Sequence, residues 1–508
     1  MPVPRADAGS RRRNVAANLA GRAWGILSVY LFLPFYLRFL GVEAYGVVGF
    51  YAVLQGVMVI ADLGLTATLN REMARQAAAD ADPRDRRDTV LTIETLYGAA
   101  SLLLGAVVVA AAPLIAHRWL DARQLHAAEL ETAVRLMGVA LAFQLPTGLY
   151  QGGLLGLERQ VLANTLQVGW GILRSAGSVL VLWAVSPTVT AFFWWNLAVN
   201  AVYVLSVRAA LWRSLPAATA ATRWRVEILR GVWRYAGGIA LMALLSSILI
   251  QMDKLVVSRL LTLEAFGYYS IAWSLSQGAV ILASPIAVAM FPRLTAHATV
   301  GHGDLLRRTY HLACQLAAVL ALPVGLTLAV FAREFLIVWT GSPAVAANAW
   351  LAGTLLTVGS MALAVQIVPY HLALAHGWMR LNIVLTAVSA VVALPVLLLL
   401  VGRYGLPGGG LAWLMINVVV TAPFIVLLHR RLLPGATRRW VLADVARPLA
   451  AAAACVAVAR LLYPAAPPRW LGAVLLGATA CAAVAAATLA SPDVLRYLRS
   501  GSRATEGP

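Results

Sequence analysis

The sequence predicts an all-α integral membrane protein that crosses the bilayer about fourteen times. Of its 508 residues, 61% are hydrophobic and only 12% are charged, whereas soluble domains average about 45–50% apolar and about 25% charged residues. Apolar segments of about 20 residues recur along the whole chain, and each is long enough to span about 30 Å of hydrocarbon as a helix. Solid apolar runs, rather than short alternating ones, favour helices over a transmembrane β-barrel.

Fourteen apolar segments are the predicted spans. They cover residues 15–37, 44–66, 90–116, 132–153, 161–185, 188–210, 235–258, 264–290, 309–332, 346–373, 377–402, 407–429, 445–463 and 470–490. With the N-terminus inside, 28 of the 40 basic residues fall on one face of the membrane, counting Arg208, Arg380 and Arg447 at the adjoining span ends; 7 fall on the other face, and 5 lie elsewhere within spans. Because basic residues concentrate in cytoplasmic loops, this alternation supports an even number of spans and predicts that both termini are cytoplasmic.

The net charge of +19 would suggest nucleic-acid binding in a soluble protein. Here the basic residues lie between apolar spans, so membrane topology explains them and no nucleic-acid partner is predicted. The three cysteines, Cys314, Cys455 and Cys481, are scattered through apolar segments with no spacing typical of a disulfide or a metal site. The chain has no P-loop pattern, and we predict no cofactor, metal or catalytic residue.

The sequence repeats itself with an offset of 221 or 222 residues. Arg38-Phe-Leu-Gly-Val-Glu-Ala-Tyr-Gly46 matches Arg259-Leu-Leu-Thr-Leu-Glu-Ala-Phe-Gly267. Further pairs keep this spacing: Arg159 and Arg380, Gln55 and Gln277, Gln144 and Gln366, and Arg71 and Arg293. The offset pairs segments of the same predicted orientation, which indicates a parallel repeat about an axis along the membrane normal. Transporters often place the substrate path between such halves.

The repeat predicts two pseudo-symmetric six-helix lobes followed by an extra helix pair. Residues 1–210 form the N-lobe with spans one to six, and residues 235–430 form the C-lobe with spans seven to twelve. Residues 431–508 add two spans and a cytoplasmic tail. The cytoplasmic linker, 211–234, alternates tryptophans and aliphatic residues with arginines, which is typical of an interfacial helix on anionic headgroups. A solvated connector is the alternative.

The fifth span carries the most informative polar stripe. Arg174 lies near its middle, and four small or polar residues fall within about 80° of it at 100° per residue. They are Asn164, Gln167, Gly171 and Ser178. Inserting an arginine this deep costs roughly 2.5–3.5 kcal/mol, so the stripe predicts a cation that lines a substrate cavity. The alternative is an arginine paired structurally with a carboxylate or with backbone carbonyls.

Polar residues in the first, second and eighth spans are further candidates for the cavity. Asn18 and Arg22 share one face of the first span, where an interfacial position for Arg22 is equally open. Gln55 in the second span and Gln277 in the eighth occupy matching positions of the repeat. Gln277 can instead bond neighbouring helices together.

Two carboxylates are candidates for ion coupling. Asp62 lies near the cytoplasmic end of the second span, where a helix end or a loop arginine is an alternative partner. Asp253 lies next to Lys254, about one turn from the outer boundary of the seventh span, where the lysine can snorkel towards the interface.

Two stretches resemble polysaccharide-biosynthesis flippases. One runs from Asn18 through Phe-Leu-Gly-Val-Glu-Ala-Tyr-Gly and Asp62-Leu-Gly-Leu to Asn70-Arg71, and the other runs from Gln251-Met-Asp-Lys through Glu264-Ala-Phe-Gly-Tyr-Tyr to Phe291-Pro-Arg293. These flippases include the O-antigen flippases and belong to the multidrug/oligosaccharidyl-lipid/polysaccharide (MOP) superfamily, with lipid II flippases and MATE drug exporters. The resemblance covers about residues 14–430.

The resemblance implies a MATE-like fold of two lobes around a central cavity, working by alternating access in the bacterial cytoplasmic (inner) membrane. It implies transfer of a polyprenyl-pyrophosphate-linked oligosaccharide from the cytoplasmic to the periplasmic leaflet for cell-surface polysaccharide assembly. The implied partners are this substrate, membrane lipids and other polysaccharide-assembly proteins. Arg22 and Arg174 suit the pyrophosphate, since arginine offers planar, permanently charged contacts.

Two other functions remain open. A MATE-type exporter of drugs or metabolites would need acidic cation sites deep in a lobe, and Asp62 and Glu94 lie at the periphery of their spans. A membrane enzyme of polysaccharide assembly would need a long outer loop or a carboxylate cluster at the outer face, and the sequence offers neither.

Overall fold

The chain is helical over the residues that the structure describes. The structure is a computed structural model, and it describes residues 8–62, 64–79, 82–217 and 221–504, without the side chains of residues 8–23, 26, 59–60, 229–243, 245–246 and 500–504. These ranges contain no β-strand. The fold class predicted from the sequence, an all-α membrane protein, is confirmed.

Eighteen α-helices, numbered in chain order, make up the described residues together with three short 3₁₀ or π turns. The first seven are α1 Ala8–Met58, α2 Leu65–Ala78, α3 Pro83–Leu114, α4 Ala127–Gly156, α5 Gln160–Ala184, α6 Val189–Ser214 and α7 Val226–Leu260. The next seven are α8 Leu263–Ser276, α9 Gly278–Val300, α10 Gly303–Val330, α11 Ala332–Thr340, α12 Pro343–Ala375, α13 Met379–Tyr404 and α14 Leu406–Leu432. The last four are α15 Ala436–Arg439, α16 Arg447–Leu462, α17 Arg469–Leu489 and α18 Pro492–Ala504. The turns are a 3₁₀ turn, Val59–Asp62, and two π turns, Ile115–Trp119 and Trp440–Ala446.

The helices account for the fourteen predicted spans. Twelve segments among the described residues are long and apolar enough to cross a membrane. The first of them, Leu27–Met58, contains a break, because Gly41 (φ 80°, ψ 175°) divides α1 into two helices. Glycine reaches this positive φ without the steric cost of a side chain. α7 has 35 residues and is not among the twelve, but its length of about 52 Å exceeds the hydrocarbon thickness.

The chain divides into two compact units. The first consists of Met1–Gln251 with Thr262–Gly267, and the second consists of Met252–Leu261 with Tyr268–Pro508. The boundary therefore falls inside α7, whereas the sequence assigns the whole seventh span to the C-lobe. Hydropathy locates a span, but it cannot show which neighbours the two ends of a long helix contact.

The linker 211–234 contains no separate interfacial helix in its described part. α6 continues to Ser214, residues 221–225 are not helical, and the helix that begins at Val226 is the start of α7. Arg225 pairs with Asp85 (2.9 Å) and Asp88 (2.8 Å), and the backbone N–H of Arg223 donates to Asp88 (2.7 Å). These bonds tie the end of the linker to the first turns of α3, so this segment packs against protein.

The repeat seen in the sequence is visible in local structure. Asn196 donates its side-chain N–H to the carbonyl of Phe192, and Asn417, 221 residues later, donates to the carbonyl of Trp413 in the same way. Gly46 and Gly267 make reciprocal contacts, since a Cβ on Gly46 would lie 2.4 Å from the carbonyl oxygen of Leu263. A Cβ on Gly267 would lie 2.3 Å from that of Val42. Glycine is required at both points because two backbones meet there.

The glutamate of the first repeated stretch has a structural partner. Glu43 is 3% exposed, and its Oε1 accepts the backbone N–H groups of Arg123 (3.0 Å), Gln124 (2.8 Å) and Leu125 (3.0 Å). A carboxylate that accepts several backbone N–H groups fixes the loop that carries them. Glu43 therefore anchors the connection between α3 and α4.

Candidate functional site

A hydrogen-bonded network of neutral polar side chains crosses the interior of the first unit. Its centre is Asn200 on α6, which is 1% exposed. Asn200 accepts the indole N–H of Trp170 on α5 (3.1 Å) and donates to the hydroxyl of Tyr51 on α1 and to the carbonyl of Ala140 on α4 (3.3 Å each). Buried polar groups are stable only when they find such partners. One asparagine thus joins four helices.

Gln55, a sequence candidate for the cavity, belongs to this network. Its Nε2 donates to Oε1 of Gln144 on α4 (2.6 Å), and the hydroxyl of Tyr51 donates to the same oxygen (3.0 Å). Gln55 and Gln144 also line a cavity. Gln55 therefore bonds two helices together and also lines a cavity, and its contact with a substrate stays a prediction.

Arg174, the mid-span arginine, lies at one end of the network. Its guanidinium carbon is 4.8 Å from the ring centroid of Trp170, the residue that donates to Asn200. A cation over an indole face is stabilised by about 0.5–1 kcal/mol at exposed sites and by about 2 kcal/mol or more when desolvated. Among the side chains that the structure describes, no carboxylate pairs with Arg174. The described residues therefore do not support the alternative in which Arg174 is paired structurally with a carboxylate.

The polar stripe of α5 does not face a single space. Ser178 is fully buried and accepts from Asn196 (3.3 Å), so it points towards α6. Asn164 donates to the carbonyl of Gln160 (2.9 Å) on its own helix. Gln167 is exposed. Ser178 therefore contacts α6 rather than a cavity, and the expectation that Asn164 and Gln167 line a cavity with Arg174 stays a prediction.

A cavity of about 340 Å³ lies within the first unit. Its polar lining comes from Gln55, Asp62, Thr66, Tyr97, Gln144 and Thr147. The only ionisable carboxylate among these is that of Asp62, so the cavity is a polar space with one acidic group. A carboxylate in a polar space is a group to which a cation or a proton can bind, so Asp62 stays a candidate for ion coupling.

Asp62 uses one of its oxygens for local structure. Its Oδ1 accepts the hydroxyl of Tyr97 (2.7 Å), the backbone N–H of Thr66 (3.2 Å) and, at short range, the hydroxyl of Thr66. No donor in the described part of the chain bonds to Oδ2. The helix-end partner considered from the sequence is therefore correct, because Asp62 caps the first turn of α2, and the second oxygen remains open.

Two candidates of the first span, Asn18 and Arg22, lie outside the described side chains. Their backbone belongs to α1, and their contribution to a substrate site stays a prediction.

In the second unit, Asp253 and Lys254 form a buried ion pair. Nζ of Lys254 lies 3.1 Å from Oδ1 of Asp253 and 3.3 Å from the ring centroid of Trp273, and the hydroxyl of Tyr269 donates to Oδ2 of Asp253 (2.7 Å). Asp253 is 2% and Lys254 8% exposed. Lys254 therefore does not snorkel, although its depth in the span would allow it, because a carboxylate and an indole face hold its ammonium group in the interior.

Gln277 lies at the break between α8 and α9. Its Nε2 donates weakly to the hydroxyl oxygen of the preceding Ser276 (3.3 Å). Gln277 therefore does not match the role of Gln55, although the two residues occupy equivalent positions in the sequence repeat.

A second buried polar cluster was not found from the sequence. His311 on α10 and Asp444 in the π turn before α16 are both fully buried, and Nδ1 of His311 is bonded at short range to Oδ2 of Asp444. Gln315 donates to Asp444 and to Asp493 of α18 (2.9 Å each), and Arg439 and Arg496 pair with Asp493. The four-residue spacing of His311 and Gln315 on one helix face was the available signal.

A family model for polysaccharide biosynthesis proteins matches residues 37–346. The chain belongs to the polysaccharide biosynthesis protein family. It is also similar to a curated Shigella flexneri protein named "Putative O-antigen transporter", with 21% identity over 426 residues that cover 83% of this chain and 98% of that protein. The resemblance drawn from the sequence is thereby confirmed.

Solved structures show that the fold of this family member is that of MOP-superfamily transporters. The lipid II flippase MurJ in an inward closed conformation aligns with a TM-score of 0.72 at 8% identity, covering 95% of this chain and 99% of MurJ. A MATE family multidrug resistance transporter in an inward-facing conformation aligns with a TM-score of 0.66 at 14% identity, covering 81% of this chain and 94% of that transporter. The protein is therefore a multi-pass membrane protein with a transporter fold.

Proposed function

We propose that this polysaccharide biosynthesis protein is a flippase for a polyprenyl-pyrophosphate-linked oligosaccharide. It moves the substrate from the cytoplasmic to the periplasmic leaflet of the bacterial inner membrane by alternating access, for cell-surface polysaccharide assembly. Its partners in this proposal are the lipid-linked substrate, membrane lipids and other polysaccharide-assembly proteins. Its role is transport, with no catalytic residue.

The observation that carries the proposal is Arg174. A mid-span arginine costs roughly 2.5–3.5 kcal/mol to insert, and the described residues supply a tryptophan face but no carboxylate to offset this cost. A pyrophosphate carries the opposite charge, and a guanidinium offers it two parallel hydrogen bonds. Binding of such a substrate explains why the membrane-embedded charge is left without an anion. The family and the transporter fold support the same proposal.

A cation-coupled exporter is the second candidate, and Asp62 favours it. A carboxylate oxygen that is open to a polar cavity suits an exchanged cation or proton. In a flippase, the same group would serve as the coupling site, and Asp253, already neutralised by Lys254, is the weaker candidate for that role. The two proposed functions therefore differ in the transported substrate, a lipid-linked oligosaccharide in one case and a drug or metabolite in the other.

Complementation tests the proposal. A strain that lacks its own O-antigen flippase is expected to regain surface polysaccharide and to stop accumulating lipid-linked glycan in the cytoplasmic leaflet when this protein is expressed. The leaflet is read with a membrane-impermeant sugar-labelling reagent, and a matched strain carries the empty vector. If the protein reaches the membrane in normal amounts, leaves glycan accumulation unchanged and confers resistance to cationic drugs, the exporter is the correct assignment.

The proposed topology has a separate test. In a chain whose three native cysteines are replaced by serine, single cysteines at Ser10, Thr219 and Ser502 are expected to resist an impermeant thiol reagent added from outside. A cysteine at Ser342 is expected to react. Labelling at Thr219 in intact cells would contradict fourteen spans with cytoplasmic termini.

A further inference from the structure

A groove of about 730 Å³ runs between α5 and α6 on the first unit, apart from the network and the cavity. Arg159 and Arg213 line one end of it. Leu162 and Leu166 of α5 and Leu205 of α6 line the rest. The groove thus has a strongly basic end and an apolar floor.

The sequence explains why there is open space. The α6 residues that line the groove include three with small side chains, Ser206, Ala209 and Ala210, and small side chains leave room between two helices. Arg159 directly precedes α5, and Arg213 lies in the last turn of α6. Because Leu166 is seven residues from Arg159, the groove extends about 10 Å along the helix axis.

The two arginines at the end of the groove lack described countercharges. Neither pairs with a carboxylate in the described part of the chain, and Glu158, the neighbour of Arg159, forms no ion pair with it there. Arg208 differs, since it pairs with Glu94, which also accepts the indole N–H of Trp212 (2.8 Å). The start of α5 also contributes the positive end of a helix dipole. This end of the groove is therefore built for an anion.

We propose that the groove binds an anionic phospholipid of the surrounding membrane, with its phosphate between Arg159 and Arg213 and one acyl chain along Leu162, Leu166 and Leu205. Guanidinium groups are the preferred protein partners of phosphate. A free phosphate ion would occupy only the basic end, whereas a chain of about eight methylene groups fills an apolar groove of this length. The site does not depend on the identity of the transported substrate.

Native mass spectrometry of the purified protein, titrated with phosphatidylglycerol or with phosphatidylcholine, tests the site. The wild-type chain is expected to bind one phosphatidylglycerol at least ten-fold more tightly than phosphatidylcholine. The double variant Arg159→Gln/Arg213→Gln is expected to lose at least ten-fold of this affinity. Equal binding of phosphatidylglycerol by the double variant and the wild type, or equal binding of the two lipids by the wild type, would overturn the proposal.

The repeat supplies a matched control. Arg380 is the sequence counterpart of Arg159 and lies in the first turn of α13, but Pro434 stands where Arg213 has its counterpart. Arg380→Gln is therefore expected to leave phosphatidylglycerol binding unchanged. If Arg380→Gln reduces binding as much as the double variant, general surface charge and not the groove holds the lipid.

Two further measurements test the groove and its occupant. Ala209→Phe fills the groove and keeps both arginines, so it is expected to reduce phosphatidylglycerol binding at least ten-fold; unchanged binding would refute an acyl chain in the groove. The variant Arg159→Lys/Arg213→Lys keeps the charge and is expected to retain lipid binding even if the glutamine variant does not fold. Competition by inorganic phosphate or by a polyprenyl pyrophosphate at lower concentration than phosphatidylglycerol would assign the groove to that ligand instead.

Discussion

The first unit holds the charged groups Arg174 and Asp62 beside neutral polar side chains, whereas the second unit holds Asp253 and Lys254 as a buried pair. Arg174 rests on Trp170 without a described carboxylate, and one oxygen of Asp62 is open to a cavity. In the second unit each charge is satisfied by the other and by an aromatic partner. A charged group without a protein partner can bind a ligand, whereas a charged group that is already paired contributes to the stability of the fold.

The sequence repeat shows that these charges are not part of what the halves share. Pro395 stands 221 residues after Arg174, and Phe32 and Leu33 stand 221 residues before Asp253 and Lys254. The halves do share the glycine contacts and the bonds of Asn196 and Asn417 to their own helices. These pairs of positions therefore make similar local contacts, while Arg174, Asp253 and Lys254 have no charged counterpart at the 221-residue offset.

The largest effect is expected from breaking the buried pair. Lys254→Met leaves the carboxylate of Asp253 buried with only the Tyr269 hydroxyl as a described partner. Losing one partner of such a pair destabilises the folded state by about 3–5 kcal/mol. The measurement is the midpoint of thermal unfolding of the purified protein in detergent, with folded protein in the membrane as a second readout.

The double variant Asp253→Asn/Lys254→Met is the control for this prediction. It removes both charges, so it is expected to recover most of the lost stability, since apolar or neutral replacement of a whole pair is often tolerated. A stable Lys254→Met variant, together with a double variant that folds but loses transport, would show that the pair is a functional site. The difference drawn between open charges in the first unit and structurally paired charges in the second would then be wrong.

A smaller effect on the fold, but a large one on transport, is expected at Arg174. Arg174→Ala removes the charge and its hydrogen bonds and is expected to reduce translocation at least ten-fold, a change of about 1.4 kcal/mol or more. Arg174→Lys keeps the charge but loses the planar fork, so retained activity would indicate charge alone and lost activity a bidentate contact. The measurement is lipid-linked glycan in each leaflet, normalised to folded protein.

Leu173→Ala, at the exposed neighbouring position, is the matched control and is expected to transport normally. Normal translocation by Arg174→Ala at normal abundance would remove this residue from the mechanism, and Arg22 would be tested next. A loss of transport that parallels a loss of folded protein would indicate that Arg174 is structural.

The smallest effect on stability is expected at Asp62. Asp62→Asn keeps an oxygen that accepts from Tyr97 and Thr66, so the unfolding midpoint is expected to move by the equivalent of about 1 kcal/mol or less. If the open oxygen binds the coupling cation or proton, transport driven by an ion gradient is expected to fall while exchange without a gradient persists. Unchanged dependence on the gradient would exclude Asp62 from coupling.

The sequence located the spans and the mid-span arginine because both depend on local properties. Hydropathy over about 20 residues reports whether a helix can lie in hydrocarbon, and the position of Arg174 within its span follows by counting. The offset of 221 residues likewise pairs positions of the two halves by counting along the sequence alone. These predictions needed no knowledge of which helices are neighbours.

Which polar side chains bond to each other was decided only by the tertiary structure. Helical periodicity gives the direction of a side chain on its own helix, but His311 meets Asp444 and Trp170 meets Asn200 across different helices. Lys254 shows the same limit of sequence reasoning. Its depth in the span is compatible with snorkelling, but its contacts with Asp253 and Trp273 hold the ammonium group in the interior. The sequence by itself determined where the apolar spans lie and which charges lie within them. The packing of helices determined which of those charges are paired, because pairing depends on residues that only the fold brings together.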